Sequence, residues 1–326
     1  MSSADKPVDP QLSQQVVDKK ADAPMISGDQ NSVEGTVTNG GIVIQGSGAR
    51  VEIVQNFITQ SSPSDSNNLA APNALEEISI QYFEPETIYI SSGAFWMGSE
   101  AGGEIPNHET PQHQVSLVAY RFGKYPVTNN QYEEFVNQTG RQVASSMGWN
   151  GQRVPSGKEN YPVAGVTWYD ALAYCQWLGE RTERKYSLPN EAQWEKACRG
   201  ENRNYYPWGN EFDPERCNHG RMDIAPVGAF PAQNEYGCFD LVGNIRQWTC
   251  TLWGEKRIAP DLKFAYPWTD DRRNDINASR QVRRVVRGSS MKDDIISLRC
   301  SFRSGQAPDD PGLPGARHGF RVVLSI

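Results

Sequence analysis

The sequence predicts an α+β domain with much irregular loop, preceded by a small N-terminal β element. Three observations carry that expectation. Three amphipathic stretches between residues 126 and 200 each open on a capping residue, so helices belong early in the domain. After Gly200 helical periodicity stops, and short aromatic and glycine-rich pieces such as YYPWGN, APVGAFPAQNEYGCFDLVGN and IRQWTCTLWG take over. Strand-like runs cluster at the two ends rather than alternating with helices, which does not fit regular βαβ winding.

Residues 1–30 are polar, charged and proline-containing and read as a disordered tail. Residues 31–60 read as a short β unit. Val33, Thr36 and Val37 lead into the turn signal Asn39-Gly40-Gly41, and Ile42, Ile44, Val51, Ile53 and Val54 continue as short strands. The unit is too small to fold alone. An edge addition, an oligomerisation element and a tether all remain open for it. Residues 61–75 begin SSPSDSNNLAAPN and read as a linker. From residue 76 to residue 326 the composition is globular without a break, so one domain is expected.

That domain opens on a strand-like run, TIYISSGAFWMGS, over residues 87–99. Three helices follow. Thr128 has Gln131 three residues later, Thr167 has Asp170, and Asn190 has Gln193, each the reciprocal pattern of a capping box. Apolar residues then fall at helical spacing: Tyr132, Phe135 and Val136; Ala171, Cys175 and Leu178; Trp194, Ala197 and Cys198. The last strands are expected in VRRVVRG (282–288) and GFRVVLSI (319–326).

Composition removes several function classes. A net charge of -7 with a pI near 5.3 gives no global support for nucleic-acid binding. No run approaches the roughly 20 apolar residues that span a bilayer, so no membrane association is expected. The opening MSSADKPVDPQLSQ has no apolar core of a secretory leader, and a cytoplasmic location is expected. The six cysteines contain no CxxC pair, which excludes a zinc ribbon, and their density is too low for a secreted disulfide scaffold. GxSxG, HExxH, a GxGxxG after a strand and a Walker A loop are all missing. Asp270 with Asp271, and Asp309 with Asp310, read as solvated loop faces. His108 and His113 share one loop at a spacing that is not a strong metal pattern.

Six pieces in order resemble the formylglycine-generating-enzyme-like, or sulfatase-modifying-factor, family. They are FWMGS (95–99), PVTNNQYEEF (126–135), PVAGVTWYDALAYCQWLG (162–179), LPNEAQWEKACRG (188–200), APVGAFPAQNEYGCFDLVGNIRQW (225–248), and RGSSMKDDIISLRCSFRS running on to GFR (287–321). The resemblance covers residues 76–326 and implies a variant of the C-type-lectin fold. In the family's oxidising members two cysteines bind copper(I), ten and five positions before the cysteine of an RCxxR motif. Here that motif is Arg299-Cys300-Ser301-Phe302-Arg303, and those positions hold Ser290 and Ile295. No cysteine occurs from Thr251 to Arg299, so no slip of register restores the pair. Copper is not expected and formylglycine generation reads as lost.

The resemblance also implies that Cys300 lies near Cys198, as a disulfide or as two reduced, packed thiols. A second family disulfide would join Cys175 to position 322, which is Val322, so that pair cannot form. An iron-binding branch of the family uses histidines, and the four here are His108, His113, His219 and His318. Calcium is implied through Asn218 and Asn244. Gln247 stands where relatives often carry a glutamate, which weakens a hard-cation site, and a tight turn at Gly243-Asn244 explains those residues equally well.

The same fold and C-terminal position are used by variable proteins of diversity-generating retroelements, which this chain resembles at RGSS, SLRCSFRSG and GFR. Its expected function is therefore a non-catalytic display protein that binds an unknown protein ligand through residues 287–321. The ligand-binding residues expected are Met291, Lys292, Asp293, Asp294, Ile296, Ser304, Gln306, Asp309 and His318. Residues 291–296 and 304–311 are expected to be exposed on a frame of two strands, with the arginines fixing loops through carboxylate pairs. Two alternatives stay open. One is a non-haem metal oxidase or protein-modifying enzyme of the same family. The other is a degenerate regulatory domain of a signalling assembly that docks or oligomerises through residues 31–60.

Overall fold

The three capped stretches fold as helices α1 (Asn129–Thr139), α2 (Trp168–Thr182) and α3 (Glu191–Arg199) in the computed structural model, which describes residues 35–38, 41–44, 81–269 and 271–326. Thr128, Thr167 and Asn190 each accept a bond from the backbone three residues on, and the Gln131, Asp170 and Gln193 side chains in turn accept one from the cap N–H. Helices α1 and α2 bury an aromatic core of Tyr132, Phe135, Trp168 and Tyr174, closed by Trp248 and Phe320. Helix α3 differs, because its Glu191, Glu195, Lys196 and Arg199 are buried along with its apolar residues.

The N-terminal unit contains strands β1 (Gly35–Thr38) and β2 (Gly41–Ile44), paired antiparallel with Thr38 opposite Gly41. The strands expected over residues 51–54, the tail and the linker lie outside the described residues. The second unit holds β3 (Thr87–Ile90), β4 (Gly93–Met97), β5 (His113–Leu117), β6 (Tyr120–Gly123), β7 (Tyr186–Ser187), β8 (Arg246–Gly254), β9 (Arg283–Arg287), β10 (Ser304–Gln306), β11 (Gly312–Leu313), β12 (Ala316–Phe320) and β13 (Val323–Ser325). A five-stranded sheet runs β10-β9-β8-β12-β11, a four-stranded one runs β3-β6-β13-β7, and β4 pairs with β5.

Two expected strands are each divided between sheets. Residues 87–99 break after Ile90, and Gly93 at φ 129° takes a conformation that only glycine adopts cheaply. The break sends Ile90 and Phe95 into different cores. Residues 319–326 break at Arg321 and Val322, both fully buried. The Arg321 guanidinium donates to the Gly123 and Lys124 carbonyls at 2.9 Å and to Gln247 Oε1 at 2.8 Å. It thereby ties down the crossing from β12, which runs parallel to β8, to β13, which lies between β6 and β7.

Buried charge joins these layers. Arg287, at the end of β9, donates to Glu195 at 2.5 Å and to the Cys300 carbonyl at 2.6 Å. Glu195 also meets Arg199 at 3.0 Å and accepts from the Gly98 N–H at 2.7 Å. Arg303 pairs with Glu191 at 2.7 Å, and Arg299 with Glu109 at 2.7 Å. Ser301 donates to the other oxygen of Glu109 at 2.7 Å and accepts from Ser99. Burial pushes the Glu191 carboxyl up and Arg303 opposes it. The expectation that Arg299 and Arg303 anchor loops through carboxylates matches these pairs.

Removing one partner strands a buried charge. Arg303→Met is expected to cost roughly 3–5 kcal/mol in chemical denaturation. Adding Glu191→Leu should recover part of that loss rather than deepen it. Additive losses in that double-mutant cycle would mean the two side chains act independently.

Candidate functional site

The predicted face is built where β9 hands over to the loop that carries RCxxR. Gly288 follows β9 at φ 62°, and a Cβ there would lie 2.5 Å from the Leu241 carbonyl, so the backbone must pass this point as glycine. Asp293 then folds the loop back on itself. Its carboxylate accepts from the Ser290 N–H at 2.7 Å and from Arg246 Nε at 2.9 Å, and also pairs with Arg246 Nη2. His219 donates to the Asp293 carbonyl at 2.8 Å, and the Gly220 N–H to the Met291 carbonyl at 2.8 Å. The result is a shallow groove of about 780 Å³ lined by Glu104, His219, Arg221, Lys292, Asp294 and Ile295, among others.

The expected ligand residues separate into two groups. Lys292, Asp294 and Asp309 are exposed, and Ile296, Ser304 and Gln306 are half-buried, the last two on β10. Met291 and His318 are not exposed, contrary to expectation, at 3% and 1%. Met291 is drawn in because its backbone N–H reaches the Asn244 carbonyl at 3.3 Å while its own carbonyl holds Gly220. His318 packs edge-on to Trp248 at 4.8 Å and donates from Nδ1 to the Asp310 carbonyl at 2.9 Å. Asp293 is the loop's tie rather than a free surface group, and burial is outweighed by Arg246, which holds its carboxyl below the ordinary range.

Sequence reading did not place Glu104, Arg221 or Arg246 at this face, and it named His219 only among the histidines of an iron-binding branch. Each lies many residues from the loop it borders, and no local pattern marks it. Lys292 reaches the hairpin of β11 and β12, since a Cβ at Gly315 would meet its side chain at 2.5 Å. Ile295 (44% exposed), Leu313 (74%) and Met222 (94%) add apolar surface to the segments around the groove.

The groove contains no thiol. Ser290 is buried with its hydroxyl unpartnered and Ile295 points outward, so neither position supplies a soft ligand, and the residues present do not fit copper(I). Cys198 and Cys300 lie 3.1 Å apart, both buried. Burial pushes the Cys217, Cys238 and Cys250 thiols up to about 12, away from nucleophilic use. His113 is occupied on both nitrogens, donating to the Pro111 carbonyl at 2.8 Å and accepting from the Trp268 N–H at 2.7 Å. Among the described residues no group of three or more His, Cys, Asp or Glu side chains is arranged to hold a metal.

Asn218 and Asn244 hydrogen-bond to each other at 3.0 Å, and Asn244 at φ 68° forms the expected tight turn. Gln247 uses its amide fully. It donates to the Asp240 and Leu241 carbonyls and accepts from Trp194 and Arg321. Asn218 Oδ1 is the one oxygen of these three amides left without a partner, and Gln247 brings no charge, so this donor set suits calcium poorly.

Residues 75–326 match the sulfatase-modifying factor enzyme 1-like domain family. The serine/threonine-protein kinase pkn1 of Chlamydia caviae is 32% identical over 77% of this chain, which spans 40% of that protein's length. The inactive C-alpha-formylglycine-generating enzyme 2 of Mus musculus is 29% identical over 70% of this chain and 89% of its own. Among solved structures, PvdO from Pseudomonas aeruginosa superposes with a TM-score of 0.60 at 22% identity, over 76% of this chain and 96% of its own. Treponema denticola variable protein 1 gives 0.54 at 20%, over 73% and 94%. CarF gives 0.52 at 17%, over 75% and 99%.

Ser290 and Ile295 in place of the thiol pair make this a divergent domain of that family. Among the described residues no helix is long and apolar enough to cross a membrane. The expectation of a cytoplasmic location is withdrawn, since PvdO and CarF, the structures of like fold, give it no support. The composition of the opening residues, on which that expectation rested, does not fix a compartment.

Burial lowers His318 from its ordinary 6.5 to about 4, with Asp310, Arg246 and Asp293 as the charged neighbours. The neutral ring is favoured in the fold, so its contribution is complete above pH 6.5 and is lost as pH falls toward 4, by up to roughly 3 kcal/mol. His318→Asn, which keeps a donor for the Asp310 carbonyl, should flatten stability over that window in denaturation at stepped pH. The depressed Asp293 carboxyl acts lower, its contribution being lost only below about pH 4.

Proposed function

The chain belongs to the sulfatase-modifying factor enzyme 1-like domain family, and from that premise we propose that it is a non-catalytic module that binds a protein through the groove at residues 291–296 and the adjoining hairpin of β11 and β12. One observation carries the reading. Where the family's oxidising members place a copper thiolate, this chain presents Ile295, 44% exposed, in a groove whose base is fixed by Asp293 and Arg246. A fixed backbone with exposed Lys292, Asp294, Ile295 and Leu313 offers charge and apolar contact at little ordering cost.

The C-type-lectin relationship and diversification by a retroelement belong to the same proposal. The likeness to Treponema denticola variable protein 1 supports the scaffold and says nothing of a ligand. A neighbouring reverse transcriptase with a template repeat matching codons 287–321, differing mainly at adenines, would establish diversification. A regulatory role within a larger assembly is the second reading, favoured by the resemblance to part of a Chlamydia kinase.

A combined Lys292→Ala, Asp294→Ala, Ile295→Ala variant should melt close to the parent, since surface changes cost under about 0.5 kcal/mol each. It should also lose the partners that the parent captures specifically. A folded variant that keeps every one of them places the binding face elsewhere. The parent is further expected to show no stoichiometric copper(I) uptake and no oxidation of a cysteine-containing sulfatase-motif peptide.

A further inference from the structure

Residues 219–221 line the groove, and residues 223–224 line a second pocket of about 180 Å³, to which residues of α1, the loop after it, and β12 contribute. Trp149 forms one wall. Its indole N–H donates to Asn129 Oδ1 at 3.3 Å, Asn129 donates in turn to the Lys158 carbonyl at 2.8 Å, and the ring stands edge-on to Tyr132. Tyr161 forms another, with the Lys158 ammonium 3.9 Å from its ring centroid. These walls are set by internal contacts, so they are in place before a ligand arrives.

The charges in the pocket do not cancel. Lys158 is matched by Asp223 at 3.5 Å. Arg317, half-buried, meets no carboxylate among the described residues, and its Nη1 reaches the Met147 carbonyl only at 3.5 Å. The guanidinium lies over Gly148, where a Cβ would come within 3.5 Å of Nη1, and Gly148 at φ 71° also needs the freedom of glycine. A planar cation with unused donors therefore faces a recess with aromatic and apolar walls.

We propose that this pocket binds a carboxylate carried on a small apolar group, with Arg317 as the anion's partner and Trp149 and Tyr161 as walls. The guanidinium fork matches a carboxylate edge. A phosphate dianion would want more donors than one arginine beside an already paired lysine supplies. The volume is below the roughly 300–1,000 Å³ of drug-sized sites, so it suits one residue-sized group. Two sources carry this chemistry: a free acid of amino-acid size, or the C-terminal residue of a polypeptide.

The test is calorimetric titration of the full chain with N-acetyl-leucine, N-acetyl-leucinamide, acetyl-Gly-Gly-Leu as acid and as amide, and inorganic phosphate. Both acids should bind, each at least about tenfold more tightly than its amide. A tripeptide acid that outbinds N-acetyl-leucine identifies a chain terminus as the source, and equal affinity identifies a free acid. Arg317→Gln should erase the preference for acid over amide while leaving the melting curve in place, because Arg317 stands outside the buried ion-pair network. The combined groove variant should bind the acids as the parent does, which separates this pocket from the groove. Equal binding of acid and amide, displacement of the acid by equimolar phosphate, undiminished binding by Arg317→Gln, or no binding of either acid up to about 10 mM would each overturn the proposal.

Discussion

Arg287 and the carboxylates around it are the constraint on which the rest of the domain depends. Its side chain is fully buried and joins two parts of the chain at once: Glu195 on α3, and the Cys300 and Ser301 carbonyls of the RCxxR turn. Burial works against its charge, but Glu195 outweighs that and holds the guanidinium more firmly protonated than usual. Four arginines (199, 287, 299 and 303) and three glutamates (109, 191 and 195) share the interior. Replacing such a cluster with apolar groups can be neutral or better for stability, so its value here is geometric. It fixes where α3, β9 and the RCxxR turn stand relative to one another.

The loop after β9 inherits its rigidity from that cluster. The loop of residues 288–303 leaves the interior at Arg287 and returns at Arg299, Ser301 and Arg303, so both ends are held by buried charge. The tie between Asp293 and Arg246 pins its middle to β8. What remains free is a short arc, and its residues can change character without disturbing the clamps.

Local chemistry was readable in the sequence and long-range chemistry was not. The capping boxes at Thr128, Thr167 and Asn190 are written within four residues, and each one forms. The loss of the thiol pair was also legible, because it is a matter of residue identity at two positions. Partners such as Arg303 with Glu191, or Arg246 with Asp293, are 112 and 47 residues apart, and nothing local couples them. Met291 and His318 were misjudged for the same reason. A methionine in a polar loop looks exposed until Asn244 and Gly220 are known to grip its backbone, and a histidine before GFR looks available until Trp248 is known to cover it.

The crossing at Arg321 and Val322 bears on how the domain is made. Strand β12 completes pairing with β8, and β13 supplies the strand between β6 and β7. Both sheets therefore wait for residues 316–325, although β3 and β6 are translated some two hundred residues earlier. On the ribosome the N-terminal portion of the domain holds unpaired strand edges, and Glu191 of α3 lacks its partner until Arg303 emerges. A nascent chain of this kind is exposed to mispairing until residues 316–325 have emerged, and that delay adds to its burden on chaperones.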